Sequence, residues 1–219
     1  MTYRSPQQQR QRYLTLYQLG AALVISFILV SLFDFILLQT LTTVDPETNR
    51  VNRAFESKDW YTLLRNTGFV GTWLLIAAAF FLTDKNSKRA LPLILAPLLS
   101  GAAAELLKLI IVRERPVADA IIQPGGYHFR PPLSGFIDGH NLGLPSSHAA
   151  VAFGGCLMLA HFLPKIRPLL ILLAIGCAYT RLITGAHFAS DVFLGAILGY
   201  TIAKLLANTL PKPNQKYTL

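Results

Sequence analysis

The chain is poor in charge and in cysteine. Of its 219 residues only 14% are charged, and acidic side chains number eleven. Soluble domains carry about 25% charged residues, so this chain lacks the side chains that keep a surface in water. Its two cysteines, Cys156 and Cys177, both fall within apolar runs; that excludes a disulfide framework and a cysteine zinc cluster, and leaves the redox compartment open. No internal repeat and no composition shift marks a second domain. The apolar run 19–38 is too long for the core of a signal peptide, and no small-residue cleavage site follows it. It is expected to stay as a helix.

What the chain does have is apolar length. Hydrophobic residues make up 53% of it, and mean hydropathy is +0.44. They come in blocks of about 20 residues, the length that crosses a hydrocarbon core about 30 Å thick. The spacing predicts an all-α polytopic membrane protein, a six-transmembrane-helix bundle with spans near 15–40, 62–82, 90–112, 146–163, 168–184 and 187–207. Residues 1–13 read as a polar, disordered tail, 14–210 as one membrane domain and 211–219 as a short C-terminal tail. In the mixed-charge stretch 42–59, Val51, Ala54, Phe55 and Trp60 are spaced to lay a short helix along the interface. The connection 113–145 is rich in Pro and Gly, and a loop of that size is usually functional or disordered.

Net charge is +9 with a pI near 9.8. No basic helix stands free of a span, so nucleic acid is excluded as a partner. The surplus fits the Lys and Arg that membrane proteins keep in cytoplasmic loops. Eleven of the twenty basic residues fall on one side of the six-span plan and nine on the other. Three of the nine (Lys108, Arg115 and Arg181) belong to the clusters described next; without them the bias is eleven to six. Both termini are then expected in the cytoplasm, with the long loop facing outward. The small size and short tails suit a bacterial inner membrane.

Ionisable residues near spans cost roughly 2.5–3.5 kcal/mol each at the bilayer centre, so they are functional suspects. Three clusters stand out. Lys108 closes the third span and Arg115-Pro116 follows it; Pro145-Ser146-Ser147-His148 opens the fourth; Arg181 closes the fifth, with His187 and Asp191 opening the sixth. Span parity returns all three to one face of the membrane. His187 and Asp191 are four apart, so on a helix they are neighbours. The carboxylate can hold the Nδ1 proton and leave Nε2 as a nucleophile. His148 is suited to protonate a leaving oxygen. Lys108, Arg115 and Arg181 supply fixed positive charge, and the arginine forks match phosphate oxygens. Ser146 reads as the N-cap of the fourth span, whose first free N–H groups, at Ser147 and His148, add anion donors. His-x3-Asp is also a metal-ligand spacing. Three cations around one carboxylate repel a divalent ion and attract a phosphate, so neither metal nor cofactor is expected.

These clusters resemble the signature of the type 2 phosphatidic acid phosphatase (PAP2) superfamily: Lys-x6-Arg-Pro, then Pro-Ser-Gly-His, then Ser-Arg-x5-His-x3-Asp. The vanadium haloperoxidases share its phosphate pocket. The resemblance implies that His187 becomes phosphohistidine, that His148 protonates the leaving group and that Asp191 supports His187. It makes Lys108, Arg115, Ser146 and Arg181 phosphate ligands. Ser147 stands where the family usually has Gly, which narrows the close approach that Gly permits. Thr180 replaces the Ser before Arg181.

The remaining candidates get plainer readings. His128, His140 and His161 have no partner at catalytic spacing and read as structural. Arg113 and Glu114 are off the motif and read as solvated or paired with each other. Glu105 either orients Lys108 across one turn or forms a simple ion pair with it. Asp34 reads as a satisfied interior carboxylate. Tyr127, Phe129, Phe136 and Ile137 touch a lipid tail or pack the loop down. The expected partner is a lipid phosphate monoester or pyrophosphate, such as phosphatidate, phosphatidylglycerophosphate, undecaprenyl pyrophosphate or lipid A phosphate; a small soluble ester needs only a different pocket. Hydrolysis and transfer to another alcohol are not separated at this level. A non-catalytic transporter or scaffold is disfavoured by the intact His148, His187 and Asp191.

Overall fold

The structure is a computed structural model, and it describes residues 6–45, 47–48, 50–83, 87–116 and 126–210. Helix α1 (Pro6–Leu32) ends at a break at Phe33, and α2 (Asp34–Leu41) follows. A short antiparallel ribbon pairs β1 (Val44–Asp45) with β2 (Arg50–Val51). Six helices come after it: α3 (Asp59–Asn66), α4 (Val70–Thr83), α5 (Ala90–Ile111), α6 (Ser147–Phe162), α7 (Arg167–Ile183) and α8 (Ala189–Thr209). The all-α expectation holds.

Among the described residues six equal spans do not appear. Four helices there are long and apolar enough to cross a bilayer: Gln9–Leu32, Ala90–Ile111, Pro164–Ile183 and Ala189–Thr209. A fifth results if α3 and α4, bent 72° from each other, act as one broken span. Helix α6 has 16 residues, about 24 Å at 1.5 Å per residue. It is short because it lies inside the bundle, packed by α5, α7 and α8, and most of its residues are buried. A helix that faces protein rather than lipid need not match the bilayer. The first expected span is also broken, at Phe33, where Asp34 turns inward.

Two more expectations are corrected. Residues 6–13 belong to α1 rather than to a disordered tail, because Gln and Arg are good helix formers and carry the apolar helix outward. Residues 1–5 and 211–219 lie outside the described residues. The short amphipathic helix falls at Asp59–Asn66 instead of around Val51 and Ala54. Ahead of it, Ala54–Ser57 forms only a 3-10 turn, and Phe55, Trp60 and Tyr61 cluster with ring centroids 5.8–6.4 Å apart.

Close helix approach holds the ends of the bundle in place. On α8, a Cβ at Gly195 would run into the carbonyl of Ser146, and one at Gly199 into that of Ala150. Gly195 and Gly199 are four apart, the small-residue spacing that lets membrane helices touch backbone to backbone. Gly199→Val is therefore expected to separate α6 from α8, costing about 1–3 kcal/mol. Thermal unfolding in detergent checks this; an unchanged melting temperature would show that the contact is slack.

The described part of the long loop is ordered by backbone pairing. Glu114 N–H donates to His128 O (2.9 Å), Arg115 N–H to Asn141 O (3.0 Å) and Gly143 N–H to Arg113 O (2.7 Å). Arg130 clamps the turn from beneath, donating to Glu114 (2.7 Å), Asp138 (3.1 Å) and the His140 carbonyl (2.7 Å). Phe129, Phe136 and Ile137 stay exposed and do not pack the loop down. Tyr127 does, against Phe35 and Phe188.

Candidate active site

The C-terminal ends of α5 and α7 meet the N-terminal ends of α6 and α8, and every residue singled out in the three clusters comes from this junction. Ser146 N–H donates to Asp191 O (2.9 Å), tying the start of α6 to the start of α8. His187 sits in the turn between α7 and α8, its Nδ1 3.4 Å from Asp191 Oδ2. Phe188 N–H also donates to that oxygen (2.9 Å). Burial pushes the His187 imidazole down to about 4, against the opposing pull of Asp191. The ring is therefore neutral at pH 7 and Nε2 keeps its lone pair.

Arg113 overturns its sequence reading. It is buried, ion-paired with Asp191 Oδ1 and bonded to Ser190 Oγ (2.7 Å), while Glu114 pairs with Arg130 instead. The cause is local: Val112 ends α5 at φ 51, left-handed backbone that a β-branched residue rarely adopts. That turn swings Arg113 inward. Its guanidinium carbon lies 4.7 Å from the Tyr127 ring and 5.3 Å from that of Phe188. Asp34 is satisfied, as expected of an interior carboxylate, and its partners lead to the site. It accepts from Ser190 N–H (2.8 Å), from the Ser190 hydroxyl and from Tyr127 Oη (2.8 Å). Burial and the Asp34 bond push the Tyr127 phenol up to about 12, which keeps it a donor. A chain of polar contacts, buried from Asp34 onward, thus runs Tyr127–Asp34–Ser190–Arg113–Asp191–His187.

On the other wall, Lys108 Nζ donates to Glu105 Oε1 (2.7 Å) and to Ser147 Oγ (2.9 Å). Both readings of Glu105 meet here, since the ion pair also orients the lysine. The Ser147 hydroxyl that departs from the family pattern braces Lys108. Thr180 is buried and bonds its own helix at Cys177 O (2.6 Å). Arg115 Nε donates to Leu142 O (3.2 Å). Ser146 takes the N-cap backbone position, but its hydroxyl caps nothing.

Several polar atoms are buried here without a protein partner: Ser146 Oγ, His148 Nε2, Arg181 Nε, Arg113 Nε and Arg65 Nε. Buried polar groups nearly always find partners, so these atoms are free to meet one that the protein does not supply. His161 Nε2 is also unpartnered, but it lies at the opposite end of the bundle. Among the described residues no group of three or more His, Cys, Asp or Glu is arranged to hold a metal. Sequence reasoning missed Arg113, Ser190 and Arg65. For Arg113 the signal was a buried-cost argument applied only to motif positions; for Arg65 there was none.

Residues 89–215 match the model of the PAP2 superfamily. The lipid A 1-phosphatase of Rhizobium johnstonii is 34% identical over 110 residues, an alignment covering 49% of this chain and 42% of that protein. The crystal structure of Aquifex aeolicus LpxE superposes with a TM-score of 0.52, at 21% identity, over 80% of this chain and 93% of that one. The latter is a likeness of fold. Matched over more than half its length, with the three clusters brought to one end of the bundle, the chain belongs to the PAP2 superfamily.

Proposed function

We propose that the chain is a metal-independent phosphatase of lipid phosphates that works through a phosphohistidine at His187. The observation that carries the reading is the set of orphaned donors, Ser146 Oγ, His148 Nε2 and Arg181 Nε, gathered beside Lys108 and the His187–Asp191 pair. In the first step His187 Nε2 forms a bond to phosphorus. The bond to the leaving oxygen breaks, and His148 gives that oxygen its proton. Lys108, Arg115, Arg181 and the N–H groups opening α6 hold the equatorial oxygens. Water then attacks the phosphohistidine and returns a proton to His148. Asp191 has one oxygen on Arg113 and the other on His187 and Phe188 N–H, so it is committed to orienting the nucleophile.

The substrate is a lipid because helices that cross a bilayer carry the site at one end, where an acyl or isoprenyl chain stays in the membrane. Lipid A 1-phosphate, which the curated relative is named for, is the first to assay. We place this end outside the cytoplasm, with six crossings counting α6 and the α3–α4 pair. A cleft of about 210 Å³ at the far end is lined by His161, Arg167 and Lys204, in keeping with positive charge on the inner side.

Phosphate release from a panel of lipid phosphates tests the reading. EDTA is expected to leave the rate intact. Vanadate is expected to inhibit, since it imitates five-coordinate phosphorus. Loss of activity on chelation would overturn the metal-independent mechanism.

A further inference from the structure

Arg65 lies outside all three clusters, in α3, yet it is built into the same pocket. Its Nε is buried without a partner, and among the described residues neither it nor Arg181 has a carboxylate at ion-pair distance. Its guanidinium carbon sits 5.1 Å from the Phe69 ring, and that ring meets the His148 ring edge-on at 5.0 Å. Cys177 Sγ lies 3.8 Å from the carbonyls of both Arg65 and His148. The bend at Gly68 allows this closeness: a Cβ there would stand 3.0 Å from His148 Cδ2 and 2.8 Å from the sulfur. The Arg65 guanidinium thus lies beside the His148 imidazole, with only the Phe69 ring described between them.

Direction follows from the reaction. In-line attack puts His187 and the leaving group on opposite sides of phosphorus, and His148 serves the leaving side. Arg65, next to His148 through Phe69 and Cys177, is therefore beside the leaving group rather than the phosphate under attack. Charge points the same way. Lys108 pairs with Glu105 and Arg113 with Asp191, while Arg65, Arg115 and Arg181 have no carboxylate at ion-pair distance among the described residues. A phosphate monoester brings about two negative charges; a diphosphate brings more.

We infer that Arg65 forms a second anion subsite on the leaving-group side and selects substrates that carry a negative group there, a lipid diphosphate above all. This rests on the phosphatase reading. Cleavage then breaks the phosphoanhydride, His148 protonates the departing lipid phosphate, and Arg65 stabilises the charge left on it.

The test uses the full chain in detergent with farnesyl diphosphate and farnesyl monophosphate, which share one tail. Arg65→Gln is expected to lower kcat/KM for the diphosphate by about 10–100-fold, and for the monophosphate by less than about threefold. Arg65→Lys, which keeps the charge and loses the fork, is expected to fall between on the diphosphate. Equal losses on both substrates, or none on either, would overturn the subsite. A wild-type chain that releases phosphate from neither would overturn the phosphatase reading itself, a separate outcome.

Discussion

His187→Ala is expected to abolish phosphate release, with a loss of about 10⁴-fold or more, while the bundle stays folded. The side chain is 1% exposed, so its removal leaves a small void but no unpaired donor that the fold depends on. Asp191 keeps Arg113 and Phe188 N–H, and the starts of α6 and α8 remain tied through Ser146 N–H. The loss should therefore fall on kcat. Binding of vanadate should weaken as well, because vanadate takes an axial bond from the same nitrogen. Near-normal turnover in a folded variant would remove His187 as nucleophile.

Arg113→Met has the second-largest expected effect, and it acts at a distance from the phosphate. Truncating one partner of a buried ion pair leaves the other charge uncompensated, at a cost of about 3–5 kcal/mol. Here the orphan would be Asp191, which is fully buried. Two consequences are expected together: a lower melting temperature, and a kcat at least about 10²-fold lower as Asp191 turns away from His187 Nδ1. KM should change little, since Arg113 has no place among the groups that hold phosphate. Arg113→Lys keeps the charge but cannot reach Ser190 and Asp191 at once, so it should recover part of the stability and less of the rate. A variant with an unchanged kcat would show that His187 alone orients Asp191.

The parts of this site that were legible in the sequence are those whose cost is visible without coordinates. A lysine closing an apolar run, two histidines opening others and an aspartate four residues on are expensive unless they meet, and parity of the spans says where. Asp34 carried the same signal, but nothing in one dimension names Ser190 and Tyr127 as its partners. Arg113 was misjudged because Glu114 is its neighbour in sequence; the left-handed turn at Val112 sends the two side chains to different places. Helix α6 looked like a span of ordinary length because hydropathy does not distinguish a helix facing lipid from a shorter one enclosed by others. The broken α3–α4 pair was hidden for a related reason: Leu63 and Leu64 of the amphipathic α3 run into the apolar α4, and the bend between them leaves no mark in hydropathy. Arg65 had no signature at all, since an arginine on an amphipathic interfacial helix is ordinarily solvated.

The most direct test is a base-stable quench of the enzyme during turnover of a lipid phosphate labelled in its phosphoryl group, followed by peptide mapping. Label is expected on one histidine, at position 187, and absent from His187→Ala protein. Label on His148 or on a serine, or turnover with no protein-bound phosphate at any time point, would contradict the mechanism proposed for this pocket.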